Sequence, residues 1–284
     1  MSRNSTRQGV PDAPPTQPIP EQLQQTQNLF SFPVPTEHVD LPSKGLFYGE
    51  GHPLHQKDTI EIRHMTAKEE DILASDTLIK KGMVMNKLLQ SVLVDSKINP
   101  DTLLIGDKNA IIMAIRETGF GSGYTTTVSC PACGELNEKE FSLDDREVKE
   151  STLLEGVQLL ENGNFMLTAT DYNPEITFEI RLLTGNDEQR ITKFVEGRRK
   201  LKLDVGTVTE LLKNILVSVN GITDRSAINQ IITQIPVTLS RQIRKVYEEA
   251  MPNISLAADF NCDNCSHIER MEVPINVDFF WPRL

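Results

Sequence analysis

An α+β fold built from two duplicated strand-plus-helices halves is what this sequence predicts, on three observations. A strand-to-helix passage recurs: Ile60-Glu61-Ile62-Arg63-His64-Met65-Thr66-Ala67-Lys68-Glu69-Glu70 matches Phe178-Glu179-Ile180-Arg181-Leu182-Leu183-Thr184-Gly185-Asn186-Asp187-Glu188, Arg on Arg and Thr on Thr. Apolar residues at helical spacing follow each copy. Each half then closes on a cysteine pair of the same spacing, Cys130-Pro131-Ala132-Cys133 and Cys262-Asp263-Asn264-Cys265, and these are the 4 cysteines of the chain.

The expected organisation is a tail over residues 1–40, a first half over 41–150 and a second over 151–284. The tail carries Pro11, Pro14, Pro15, Pro18, Pro20, Pro33 and Pro35 among Gln22, Gln24, Gln25 and Gln27. With little to bury, it cannot offset its ordering entropy and is expected to be disordered or extended, either as a spacer or as a partner's ligand. Phe30, Phe32 and Val34 are its docking candidates. At Leu41-Pro42-Ser43-Lys44-Gly45 the punctuation of Pro42 and Gly45 marks a turn, and the ordered part is expected to begin here, with Leu46 to Tyr48 as a short extended piece.

Ile60 and Ile62 alternate with Glu61 and Arg63, which predicts a strand, and Thr66-Ala67-Lys68-Glu69 has the spacing of a capping box that opens a helix through Ile72 and Leu73. Met85, Leu88, Leu89, Val92 and Leu93 predict a second helix, and Ile111, Ile112 and Ile115 a third. Gly119, Gly121 and Gly123 are expected as a flexible turn before a strand at Tyr124 to Val128, which leads into the first cysteine pair. In the second half, Leu211, Leu212, Ile215, Leu216 and Val219 repeat the Leu88 helix, and Ile243, Val246 and Tyr247 repeat the Ile111 helix. Ile254 to Phe260 then forms the strand before the second pair.

Two residues between cysteines let both thiolates of one tight turn reach a single ion, and zinc favours four such ligands in a tetrahedron. Glu138 to Leu143 and Ile268 to Val273 follow the knuckles as returning strands. Two hairpins sharing one metal make a zinc ribbon, split here by a long insertion. Cys130, Cys133, Cys262 and Cys265 are therefore the expected Zn2+ ligands, in a structural site, because four protein ligands leave no place for substrate. A redox pair is disfavoured by context, an iron–sulfur cluster uses the same ligands, and His267 is an alternative to Cys265. His38, His52, His55 and His64 are scattered and expected at the surface.

No catalytic constellation is expected. The glycines at 119, 121 and 123 precede a strand rather than a helix, so they do not make a phosphate loop. Glu69, Glu70 and Asp71 are explained by a helix start, where acidic residues complement the dipole. Arg198, Arg199, Lys200 and Lys202 are expected as a solvated helix end or a contact for an acidic partner. A net charge of −11 with pI near 5.0 opposes nucleic-acid binding, which needs clustered cations. No run approaches the roughly 18 apolar residues of a membrane span, and the N-terminus lacks the apolar core of a signal peptide, so a reducing cytoplasm is expected and the cysteines are expected as thiolates. Phe279, Phe280 and Trp281 near the C-terminus are expected either to cover the core or to anchor a neighbouring subunit.

Taken together, Leu41-Pro42-Ser43-Lys44-Gly45, the Glu-Ile-Arg strand with its Thr and acidic helix start, the two cysteine knuckles and the terminal Phe-Phe-Trp-Pro resemble the baseplate hub and hub-assembly proteins of T4-like contractile-tailed bacteriophages. The resemblance covers about residues 41 to 284. It implies a non-enzymatic protein that builds or joins the hub through contacts with other baseplate or tail proteins, made in the host cytoplasm and carried in the virion. The rival expectations are a transient assembly chaperone and a nucleic-acid-binding zinc ribbon.

Overall fold

The computed structural model describes residues 33–201, 206–273 and 277–280, with the side chains of Val277 and Asp278 excepted. From Pro35 onward the chain forms one unit. Most of the Pro/Gln-rich segment, with Phe30 and Phe32, lies outside the described residues.

The first hairpin pairs β1 (Thr36–Asp40) with β2 (Thr59–Arg63) in antiparallel register, Val39 opposite Ile60. Among the described residues the first strand therefore starts at Thr36, five residues before Leu41 and inside the stretch assigned to the tail. Prolines at 33 and 35 masked this strand, although buried Val39 faces the core between more exposed neighbours. Between the two strands, Gly45 sits at φ +69, where a side chain would collide with the Lys57 N–H and the Leu54 carbonyl. Only glycine fits that turn.

Three helices follow: α1 (Ala67–Leu73), α2 (Asp76–Lys80) and α3 (Val84–Val92). On α3 the buried residues are Val84, Leu88, Leu89 and Val92, one apolar stripe. The long α4 (Ile105–Phe120) is buried around most of its circumference, polar residues included, because other elements enclose it. Gly119 belongs to this helix, Gly121 ends it at φ +80 and Gly123 opens the next strand, so the glycines are a helix stop rather than a flexible turn.

β3 (Gly123–Ser129) and β4 (Leu136–Ser142) make the first knuckle hairpin. β5 (Arg146–Lys149) then crosses to pair with β10 (Asn253–Asn261), which also pairs with β11 (Ile268–Glu272) in the second knuckle hairpin. Between them lies a four-stranded antiparallel sheet, ordered β6 (Val157–Leu159), β7 (Phe165–Ala169), β8 (Ile176–Ile180), β9 (Leu216–Val219). With it come α5 (Gly185–Lys200), α6 (Thr207–Ile215), α7 (Arg225–Gln234) and α8 (Val237–Ala250).

Part of the element order recurs along the chain: a hairpin, a helix with an apolar stripe, a long helix and a cysteine hairpin appear as β1–β2, α3, α4 and β3–β4 and again as β7–β8, α6, α8 and β10–β11, while β9 and α7 interrupt the second series. Their contacts cross over. A short 3₁₀ turn at Leu143–Asp145 packs on β10, and its counterpart at Val277–Phe280 packs on β3. The Ile105 N–H reaches the Leu183 carbonyl (3.2 Å) and the Gly185 N–H the Leu103 carbonyl (2.8 Å). One hydrophobic cluster runs from Val39 to Phe280 through both halves.

Candidate metal centre

Each cysteine pair sits in the tight turn of its hairpin, and the two turns repeat one hydrogen-bond pattern. In the first, the Gly134 N–H donates to the Cys130 carbonyl (2.8 Å) and the Cys130 N–H to the Glu135 carbonyl (2.8 Å). In the second, the Ser266 N–H donates to the Cys262 carbonyl (3.0 Å) and the Cys262 N–H to the His267 carbonyl (2.9 Å). The residue after each pair takes a left-handed backbone, Gly134 at φ +76 and Ser266 at φ +56. This closes the turn.

All four sulfurs lie within 4.8 Å of one another. The contacts are crosswise: Cys130 Sγ to Cys265 Sγ is 3.7 Å, and Cys133 Sγ to Cys262 Sγ is 3.7 Å. Such spacing is far too long for a disulfide. It is close to the edge of a tetrahedron whose centre lies about 2.3 Å from each corner, the zinc–sulfur distance, an edge of about 3.8 Å. Cys130 and Cys262, the first of each pair, are buried, while Cys133 and Cys265 are exposed. The four residues named from spacing are thus brought together, from segments far apart in sequence.

The electrostatics of the four sulfurs are uneven. Backbone N–H groups of Cys265 and Asn264 turn toward the Cys262 sulfur and lower its thiol to about 6, against the effect of burial. The His267 amide acts to lower Cys265 as well, but burial and the sulfurs of Cys133, Cys262 and Cys130 push it up to about 12. The first sulfur ionises readily and the last resists, because negative sulfurs this close repel. A divalent ion would relieve that conflict, and Cys130, Cys133, Cys262 and Cys265 could supply four thiolates to a tetrahedral one.

Sequence spacing did not reveal Asn137. It is buried, and its side chain stitches the knuckles: Nδ2 donates to the Glu135 carbonyl (3.0 Å) and faces Cys262 Sγ (3.7 Å), while Oδ1 accepts the Asp263 N–H (2.8 Å). Asn264 Nδ2 faces Cys133 Sγ at 3.8 Å, and Lys139 pairs with Asp263 across the same junction. Amide donors to sulfur of this kind orient thiolates and spread their charge. His267 is not in the cluster; its Nε2 lies 3.1 Å from Glu269 Oε2.

The remaining candidates are engaged in structure. Glu69 is fully buried, and its carboxylate accepts from Arg63 Nη2 (2.6 Å), Ser91 Oγ (2.5 Å) and the Thr66 N–H (2.9 Å). Asp187 repeats the arrangement with Arg181 (2.7 and 2.8 Å) and the Thr184 N–H (3.0 Å). Burial opposes the charge, yet hydrogen bonds from Arg63, Ser91 and Thr66 hold Glu69 down to about 2, and those from Arg181 and Thr184 hold Asp187 to about 2. Glu70 and Asp71 stay exposed. Buried Asp107 accepts from Ser43 Oγ (2.6 Å) and Tyr48 Oη (2.8 Å); burial pushes its carboxyl up, against those bonds. The Leu-Pro-Ser-Lys-Gly turn is thereby tied to the start of α4.

The basic run ends α5, with the Arg198 guanidinium stacked on Phe194 at 5.6 Å; Lys202 lies outside the described residues. Phe279 and Phe280 are buried, and Phe279 meets Tyr124 edge-on at 4.9 Å. These two rings cover the core; Trp281 lies outside the described residues.

Among the described residues no helix is long and apolar enough to cross a membrane. Neither the curated proteins nor the solved structures contain a match to the chain. The family model for the T4 bacteriophage base plate protein matches residues 36–281, from the first residue of β1 to just beyond the buried Phe279 and Phe280. By that match, over most of its length, the chain belongs to the T4 bacteriophage base plate protein family.

Proposed function

We propose that this protein is a non-enzymatic structural or assembly component of the baseplate hub, held in shape by one structural zinc ion on Cys130, Cys133, Cys262 and Cys265. The observation that carries the metal is the pair of crosswise 3.7 Å sulfur contacts inside a cluster of four cysteines whose sulfurs all lie within 4.8 Å of one another. A multi-iron cluster would spread its cysteines more widely, so a single ion suits the cluster better. The recurring element order and the crossed packing of the halves support a duplication, with halves over 41–150 and 151–284 joined by a split zinc ribbon. Family membership supports partners among the other baseplate and tail proteins, assembly in the host cytoplasm, and a place in the virion tail. The acidic surface disfavours nucleic acid as a partner.

Metal analysis of purified protein tests the first half of this proposal: one zinc per chain is expected, and a metal-free protein that keeps its fold overturns it. A pull-down from infected cells should return baseplate proteins. Quantitative mass spectrometry of finished virions decides the rest, since a hub component stays and an assembly chaperone is missing.

A further inference from the structure

α5 is anchored by its first turn. There the Gly185 N–H bonds the Leu103 carbonyl (2.8 Å) and Glu188 pairs with Lys108 at 2.5 Å. The buried residues of the helix, Gly185 and Asp187, both lie in that turn. Ile191 still packs on the hydrophobic core, but Phe194 and Val195 are half-exposed, and Leu201, just past the helix, is 71% exposed. A side chain placed at Gly197 would meet nothing within 4 Å. At about 1.5 Å per residue the helix is about 24 Å long, so its last turns form an arm.

The arm carries both charge and apolar surface. Four cations, Lys193, Arg198, Arg199 and Lys200, stand against Glu196 alone, a net +3 in a chain of net −11. The helix dipole accounts for basic residues at a C-terminus. It does not account for Phe194, Val195 and Leu201 left toward water beside them.

A cavity of about 720 Å³ between β1, α4 and β5 has the opposite charge. Part of its lining is apolar, with Met113 and Ala114 of α4 and Val148 of β5, which is 56% exposed. The rest includes five carboxylates, of which Glu117 pairs with Arg146 (2.9 Å) and Glu150 with Lys44 (2.8 Å). Glu37, Asp40 and Asp58 remain, a net −3. Glu37 Oε1 is buried and accepts no hydrogen bond among the described residues, a rare condition for a buried carboxylate. This wall is short of cations. A helix about 10 Å across takes up about 120 Å³ per residue, so the cavity has room for about six residues, the length from Glu196 to Leu201. None of the described residues of α5 lines the cavity of its own chain.

We infer that the end of α5, from Lys193 to Leu201, docks in this cavity on a second copy of the chain, its cations toward Glu37, Asp40 and Asp58 and its apolar side chains toward Met113, Ala114 and Val148. Exposed ion pairs alone contribute little, and the apolar contact in the same cavity supplies the burial that the arm lacks in water. Arm and cavity are different surfaces, so the contact is heterologous: each copy offers one arm and receives one, and copies add into a ring or a row. The inference does not rest on the metal, because the test leaves all four cysteines in place.

Sedimentation velocity of the full chain over a wide range of concentration should show self-association that weakens as salt rises. Lys193→Glu, Arg199→Glu and Lys200→Glu together reverse the arm, and Asp40→Lys with Asp58→Lys reverses the cavity. Each variant alone should stay monomeric where the native chain associates. Mixed in equal amounts they should associate again, because the reversed arm of one meets the reversed cavity of the other, and the native arm meets the native cavity. Circular dichroism checks that both are folded; if the reversed arm unfolds, Lys193→Gln, Arg199→Gln and Lys200→Gln take its place, and self-association should still be lost. A native chain that stays monomeric, a folded variant that associates as the native chain does, or a mixture of the two reversed variants that stays monomeric overturns the docking. Salt-sensitive binding of a DNA duplex by a monomeric chain, lost when the arm is reversed, overturns it too, by assigning the arm to nucleic acid.

Discussion

At the scale of single residues, the side chains that matter most around the sulfurs are those that set their direction. Asn137 is such a residue: it holds one knuckle by the Glu135 carbonyl and the other by the Asp263 N–H. Asn137→Ala should leave the four sulfurs in place but weaken metal retention by about 10- to 100-fold, the usual scale for an outer-shell partner. Competition with a chromophoric chelator measures it, and an unchanged affinity would show that the amide is only packing. Gly45→Ala is a second case. The substitution meets both a positive φ and the Lys57 and Leu54 backbone, so it should destabilise by more than about 1 kcal/mol, measured as a lower urea midpoint. Cysteine spacing made the sulfur cluster legible in the sequence, because two pairs of the same spacing in matching turns suggest one shared site. Asn137 was not legible, since an asparagine in a strand gains its meaning only from a segment more than a hundred residues away.

Among the elements, the helix starts after β2 and β8 carry the clearest electrostatic signature. Glu69 and Asp187 have folded values of about 2, below their ordinary 4.5 and 3.8, so each contributes stability above the ordinary value that is lost as pH falls toward the folded one. Stability should therefore decline between about pH 4.5 and 2, and Glu69→Gln with Asp187→Asn should flatten that decline while lowering stability at neutral pH. Chemical denaturation across the acid range tests the slope. These helix starts were legible, because Thr followed three residues later by an acid is a local signal. β1 and α4 were less so. Prolines hid the strand, and α4 is enclosed by other elements, so buried Asp107 and Arg116 break the one-sided stripe that marks a surface helix. The pairing of β5 with β10 has no local signal at all.

Over the described residues, one core runs from Val39 to Phe280 and one sulfur cluster joins Cys130 and Cys133 to Cys262 and Cys265, so on the proposed zinc site loss of the metal should be felt on both sides of it. Cys130→Ser, or chelation of the native protein, should unfold the β1–β2 and β6–β9 sheets in one cooperative step. The expected scale is on the order of 10 kcal/mol of apparent binding free energy. Circular dichroism with hydrogen exchange on both sheets reads this out; exchange confined to residues before Lys149 would mean that the halves stand independently. The strand-to-helix passages with Arg63 and Arg181 were visible in the sequence, whereas the packing of segments far apart in sequence was not, because such contacts leave no periodicity for a linear scan to find.

The buried guanidinium of Arg116 donates through Nε to the Phe279 carbonyl at 2.6 Å and through Nη2 to the Gly123 carbonyl at 2.6 Å. On the ribosome, that cation waits for a carbonyl synthesised long after it, and Tyr124 waits for the ring of Phe279. Translation that stalls before Val277 leaves a charge stranded in an open interior, a state that chaperones and proteases recognise. Removing Val277–Phe280 should therefore uncover the Arg116 guanidinium and the Tyr124 ring together and lower stability.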